Sequence, residues 1–256
     1  MLGGAVLLAA TLSTVIAGAQ ASAANGSASG SSSSVKTAGS GKFSPKALLT
    51  ASLDAAHAQS SVHYVATSTV GNESIKVTAD TATATASQAI LLHVGKATGH
   101  VTGRLVDNAV YFRADTVGLE DYLGMPATLA PKYVGEWIEF TSSAKSYSDI
   151  TKSMSLTSAV NQISVEAPLS GGHKTNAGGR SAVSVVGTTT SLSSTGNKGT
   201  AILYVSATGS PLPISYHGTG KQKKKPETGT ITYSKWGETV RTKAPAKSVP
   251  ASSLTG

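Results

Sequence analysis

The chain has 256 residues, 13% of them charged and 5% aromatic, with a net charge of +8 and no cysteine. The missing cysteine excludes disulfides, thiolate zinc sites, cysteine nucleophiles and any acceptor for N-terminal lipidation. Length fits one domain with one sizeable core, and the dominance of Ser, Thr, Ala and Gly suits sheets with small hydroxyl-bearing faces better than long charged helices.

No Lys or Arg precedes Lys36, and Gly3 to Gly18 is apolar and small. The following Ala19-Gln-Ala21 and Ala21-Ser-Ala23 have the small-x-small form that signal peptidase favours, so residues 1–23 are expected to be an export signal, with a retained N-terminal anchor as the alternative. A mature start near Ser22 or Ala24 follows from that expectation. Residues 24–42 lack periodicity and are rich in Gly and Ser, the composition of a flexible linker. Gly39-Ser-Gly-Lys42 lacks the spacing and the following hydroxyl of a phosphate loop and predicts no nucleotide site.

Ser44-Pro45 offers a hydroxyl N-cap and a proline for the first helical turn. Leu49, Leu53 and Ala56, widened by Leu48 and Ala55, then predict an amphipathic helix over 45–59 that must lie on an apolar surface. Alternating runs follow: Val62 to Val70, Ile75 to Ala79, Ile90 to Val94, Val101 to Leu105, and Val110 with Phe112. They are separated by Gly71-Asn72, Gly95-Lys96 and Asp107-Asn108, which predicts successive hairpins of an antiparallel sheet with one apolar face. Val117, Leu119, Tyr122, Leu123 and Met125 suit a short helix, Trp137 to Phe140 another strand, and Ile150, Met154, Thr157 and Val160 a second helix running to about Ile163.

After Gly171-Gly172 and Gly178-Gly179 comes a strand from Ala182 to Gly187. From Gly199 to Pro245 the runs Gly199–Ser206, Ser210–Tyr216, Gly229–Tyr233 and Trp236–Arg241 predict three or four antiparallel strands in a meander. This order, with its "Pro-Leu-Pro" strand entry, basic loop, "Thr-Tyr-Ser-Lys-Trp-Gly" and closing "Ala-Pro", resembles the C-terminal sheet of the LolA-like lipoprotein-carrier superfamily, and within it the actinobacterial LppX/LprG type. The likeness covers roughly residues 43–250 as one domain ending near residue 254. Together with the element pattern it implies an α+β fold: a curved antiparallel sheet, a half-barrel of about ten strands, covered on its concave face by the N-terminal helix and short inserted helices. Members of that type carry a lipobox cysteine that this chain lacks, so membrane attachment does not carry over.

Converging catalytic groups are not evident. Glu120-Asp121 falls in a helix's opening turn, where acids favour the dipole, and Glu136 and Glu139 lie near or on a strand with Glu139 facing outward beside Trp137. His57, His63, His93, His100, His173 and His217 show no metal-ligand spacing, and no nucleophile motif is present. The sequence therefore predicts a protein that is not an enzyme, with no cofactor, no metal site and no nucleic-acid partner.

What remains is the concave face. Ile90, Leu92, Val110, Phe112, Ile202, Tyr204, Ile231 and Tyr233 are expected to line it, where small residues (Ala66, Ala79, Gly103, Ala201) would leave room unless the helices pack tightly. A closed core and a cavity for a lipid or other apolar small molecule both fit this pattern. Lys221, Lys223, Lys224 and Lys225 form a basic hairpin loop that is either simply solvated or a contact for an anionic membrane surface. Two functions follow: a secreted or envelope protein that carries or presents an apolar ligand, or a tethered extracytoplasmic sensor or interaction module with no transported ligand.

Overall fold

The computed structural model describes residues 43–190, 198–222 and 225–254. The expected signal, the linker, and Lys223 and Lys224 lie outside these residues. Helix α1 spans Pro45–His57, and the Ser44 hydroxyl accepts a hydrogen bond from the Ala47 N–H at its start. Its fully buried line is Leu48, Ser52 and Ala56, while Leu49 and Leu53 are half-buried against the core on the flank, so the expected apolar stripe is rotated toward its smaller residues.

Strands β1 (Ser61–Val70), β2 (Glu73–Ala82), β3 (Ala86–Val94), β4 (Ala97–Val106), β5 (Ala109–Ala114) and β6 (Ile138–Phe140) form a first antiparallel meander. Asp107 and Asn108 hold φ of 52° and 60°, the double left-handed conformation that tight two-residue hairpins require. Strands β7 (Glu166–Ala177), β8 (Arg180–Thr189), β9 (Gly199–Ser206), β10 (Pro213–Gln222) and β11 (Lys225–Ser234) form a second meander. Strand β12 (Val249–Pro250) adds to β6 in parallel. The sheet order is β12-β6-β5-β4-β3-β2-β1-β11-β10-β9-β8-β7, a twelve-stranded, unclosed and curved half-barrel of α+β type. Twist accumulated over so many strands curls the sheet and gives it an inner, concave side.

The two meanders meet at the β1/β11 pair, so β6 and β7 lie near opposite edges and the chain between them must cross the inner face. It does so as helix α3 (Tyr147–Ser153) and helix α4 (Leu156–Asn161); a short helix α2 (Ala130–Tyr133) and a π-helical turn (Gly118–Tyr122) precede them. The crossing is pinned from below: the Tyr233 hydroxyl donates to the Ala159 carbonyl at 2.9 Å, the Tyr216 hydroxyl to the Ser164 carbonyl at 3.1 Å, and the Thr81 hydroxyl to the Met154 carbonyl. Helix α1 packs beside it over β7, β8 and β10.

The structure refines one expectation and corrects three. The number of strands rises from about ten to twelve, chiefly because β7, with its glycines and exposed polar residues, pairs with β8 through two irregular registers. The single helix expected up to Ile163 is broken, because Ser155 adopts extended backbone and its hydroxyl caps α4 by accepting from the Ser158 N–H. Trp236–Arg241 forms no strand: Lys235 has φ of 53°, and Trp236 turns to stack on Tyr233 with ring centroids 5.5 Å apart. Strand β9 is turned over, as its inner residues are Ala201, Leu203 and Val205, while Ile202 and Tyr204 face the other side.

Candidate functional site

The register of the central strands sorts inward-facing residues into rows that run across the sheet. Val77, Ala66, Ile231, Tyr216, Leu203 and Val185 form one apolar row on β2, β1, β11, β10, β9 and β8. One step toward the 71–72 turn, the next row reads Ser68, Gly229, Gly218, Ala201 and Gly187. All five are buried, and none has a side chain larger than a hydroxymethyl group. The floor of the half-barrel therefore carries a band of small residues, a trough in the sheet's own side-chain layer, across β1, β11, β10, β9 and β8. Its β8 end is closed, since a Cβ at Gly187 would stand 2.8 Å from Val165 Cγ1 and 2.9 Å from Leu169 Cδ2.

A further step along β11 and β10 stand Glu227 and, beyond it, Gln222. Glu227 is 1% exposed and Gln222 6%. Both Glu227 carboxylate oxygens, the Gln222 Nε2 and the Ser68 hydroxyl have no hydrogen-bond partner. Burial pushes the Glu227 carboxyl up to about 7. Lys225, two residues before it on β11, is exposed, and its aliphatic stem lies against the turn at Gly71, 3.1 Å from where a Cβ there would stand.

The middle of the concave face is a tyrosine cluster. Tyr64 and Tyr233 are paired across β1 and β11, and Gln88 Nε2 donates to the Tyr64 hydroxyl at 3.5 Å. Burial first, then the neighbouring Tyr122, pushes the Tyr64 phenol up; burial does the same to Tyr233, and lifts Tyr122 to about 12. These phenols stay neutral, and those of Tyr64 and Tyr233 act as hydrogen-bond posts.

Six of the eight expected lining residues, Ile90, Leu92, Val110, Phe112, Ile231 and Tyr233, are buried on this face. They do not all border free space. Phe112 packs edge-on against Tyr122 and Phe140, and a Cβ at Gly103 would lie 2.8 Å from its ring, so the gap expected at Gly103 is filled. Ile202 and Tyr204 are misassigned: Tyr204 packs with Ala177, Ala182 and Ile214 on the outer face. Lys221 and Lys225 are exposed within β10 and β11, opposite Pro226 and Gln222 respectively, at the same rim as Glu227.

The histidines go separate ways. His63 pairs with Asp80 at 2.8 Å, His93 with Thr98 at 3.1 Å, and His100 with Asp115 at 2.9 Å. Burial raises the Asp115 carboxyl, but the N–H of Gly118, the His100 ring and the His100 N–H together hold it below the usual carboxylate range. No group of three or more His, Asp or Glu among the described residues is placed to hold a metal ion. At the opposite rim, between the 83–84 and 107–108 turns and α3–α4, a cleft of about 520 Å³ is bordered by Leu105, Asn108, Tyr147, Lys152, Ser158 and Asn161.

Neither Glu227 nor this cleft is anticipated from composition. Glu227 is findable by parity, because Glu227, Gly229, Ile231 and Tyr233 alternate in phase and place an acid on the apolar side.

No protein-family model matches the chain, and no curated protein matches it by sequence. Among solved structures it is similar to the Mycobacterium tuberculosis lipoprotein LppX, with a TM-score of 0.46 and 15% identity over 77% of this chain and 97% of that one. It is also similar to MucB, solved in complex with the periplasmic part of MucA, with a TM-score of 0.32 and 12% identity over 83% of this chain and 60% of MucB.

Proposed function

We propose that the chain is an exported, non-enzymatic binding protein that holds a lipid or another apolar ligand on the concave face of its half-barrel and carries or presents it. The observation that supports this reading is the trough of Ser68, Gly229, Gly218, Ala201 and Gly187 beside the apolar row of Ile231, Leu203 and Val185. Interiors pack densely, and a floor without side chains in the middle of a buried sheet face calls for something to fill it. The expected export signal supports an extracytoplasmic location, and no helix among the described residues is long and apolar enough to cross a membrane.

Lys221 and Lys225 lie at the rim next to the trough, and Lys223 and Lys224 stand between them in the sequence. In this reading they bring that rim to an anionic membrane surface, each contributing about 1 kcal/mol at low salt. Replacing the four by Gln is expected to weaken salt-sensitive binding to phosphatidylglycerol vesicles, and unchanged binding would remove the membrane role. The rival interaction-module reading gains little from the sheet edge, since β7 is broken by irregular registers that disfavour pairing with another chain.

Protein purified from its native host is expected to release acyl species near one per chain on organic extraction, detected by mass spectrometry. Empty protein whose melting temperature does not respond to added lipid would contradict the reading, since a tight ligand stabilises the folded state by mass action.

A further inference from the structure

We propose that Glu227, Gln222 and Ser68 are the head-group site of the trough, selecting an amphiphile whose polar end is a polyol bearing free hydroxyls. The assignment rests on the apolar-ligand reading above and adds a substrate class to it.

The argument starts from what the three side chains lack. Glu227 presents two carboxylate oxygens with no donor, Gln222 an amide N–H pair with no acceptor, and Ser68 a hydroxyl with neither. All three are at least nine-tenths buried. Leaving such groups unmet is costly, and several within one patch point to a partner that meets them together.

Placement confines that partner. Ser68 lies in the trough itself, and Glu227 is two residues from Gly229 on the same face of β11. Gln222 stands opposite Lys225, diagonal to Glu227. Diagonal positions on neighbouring strands are roughly 7–8 Å apart, a span that a glycerol or sugar head bridges with its hydroxyls between Glu227 and Gln222. Ser68, diagonal to Glu227 on the β1 side and two strands from Gln222, meets the part of the amphiphile that joins head to tail. The floor between them is Gly229, Gly218 and Gly220, so backbone and not side chain borders the space.

Donor and acceptor balance selects the chemistry. An ammonium head would donate to Glu227 but offers Gln222 no acceptor. Above about pH 7, where Glu227 is ionised, a phosphate would suit Gln222 but meet the carboxylate as a like charge. Hydroxyl groups both donate and accept, and two neighbouring hydroxyls match the two oxygens of one carboxylate. Among the described residues no protein cation fills the role: the same-face Lys225 leans on the Gly71 turn, Lys221 lies on the alternate face of β10, and the same-face charge beyond Val70 is another acid, Glu73. Among the described residues Glu227 enters no ion pair. The apolar tail of the amphiphile then runs along the trough toward Ala201.

The test uses the full chain and four probes, titrated calorimetrically below their aggregation concentrations: 1-monodecanoylglycerol, methyl decanoate, decyltrimethylammonium and free glycerol. The wild type is expected to prefer 1-monodecanoylglycerol over methyl decanoate by about tenfold or more, the worth of one or two hydrogen bonds to a charged group. In Glu227→Leu that preference falls to about twofold or less while methyl decanoate binds as before, and Glu227→Gln is intermediate. Melting curves of both variants establish that they fold. Binding of methyl decanoate with no preference for the glycerol ester in the wild type would overturn the head-group site and leave the apolar-ligand reading standing. Failure of all decanoyl and decyl probes to bind would overturn both. Tighter binding of decyltrimethylammonium would replace the polyol by a cation, and free glycerol binding as tightly as its ester would assign the site to a free polyol; either overturns the proposal.

Discussion

Glu227 is the residue whose chemistry is most exposed to test, because its carboxyl is buried without a partner and pushed up from 4.5 to about 7. In the unfolded chain it loses its proton near its ordinary value, whereas the folded protein keeps it to about pH 7. Between those points the folded state binds more protons, so stability falls as pH rises through the window and levels off above it. The full effect is no more than roughly 3 kcal/mol. Glu227→Gln is expected to remove this slope, checked by urea midpoints of ligand-free wild type and variant at about pH 5 and about pH 8. Parallel pH dependence in the two proteins would contradict it. The comparison with the variant is needed because Asp115, held below its usual range, contributes a slope of opposite sign: stability present above its unfolded value and lost in acid. At this scale the sequence is legible wherever one face is apolar and the other polar, as in Glu227 to Tyr233. It fails at Ile202 and Tyr204, because Ala201 to Val205 is apolar on both faces and a period of two cannot say which face turns inward.

Elements divide the inner face into a filled half and a trough, and paired substitutions read that division. Gly103→Ala places a methyl 2.8 Å from the Phe112 ring and 3.4 Å from Met154 Cε, and is expected to destabilise by about 1–3 kcal/mol. Ala201→Leu fills trough space instead: chemical denaturation is expected to show less than about 1 kcal/mol of loss, with bound lipid reduced. A loss at Ala201 as large as at Gly103 would mean that the trough is closed by packing. The helix N-cap at Ser44, the hairpins of the first meander and the strands β8, β10 and β11 are legible because their turn residues and alternation agree, and β9 is legible as a strand but not in the face it turns inward. Strand β7 is not, since an edge strand needs no apolar face, and the break at Ser155 is hidden because the apolar spacing of Ile150, Met154 and Val160 runs through it.

For the whole molecule, connectivity does what no local pattern announces. Two meanders joined at β1/β11 leave β6 and β7 at far edges, so α3 and α4 must cross the concave side and tie themselves to Thr81, Tyr216 and Tyr233. That crossing, with α1, lies over the inner face, and the small-residue rows run toward the rim that carries Lys221, Gln222, Lys225 and Glu227. The half-barrel is legible from the succession of hairpins and from the resemblance they carry; the position of the trough follows only from register. The central claim is that an acyl chain lies in this trough. A decanoyl glycerol carrying a terminal diazirine, photolysed with the full chain and mapped by peptide mass spectrometry, is expected to label the inner residues around Ser68, Ala201, Leu203 and Ile231. Labelling confined to the outer face around Tyr204, or to the cleft beside Lys152, would contradict it.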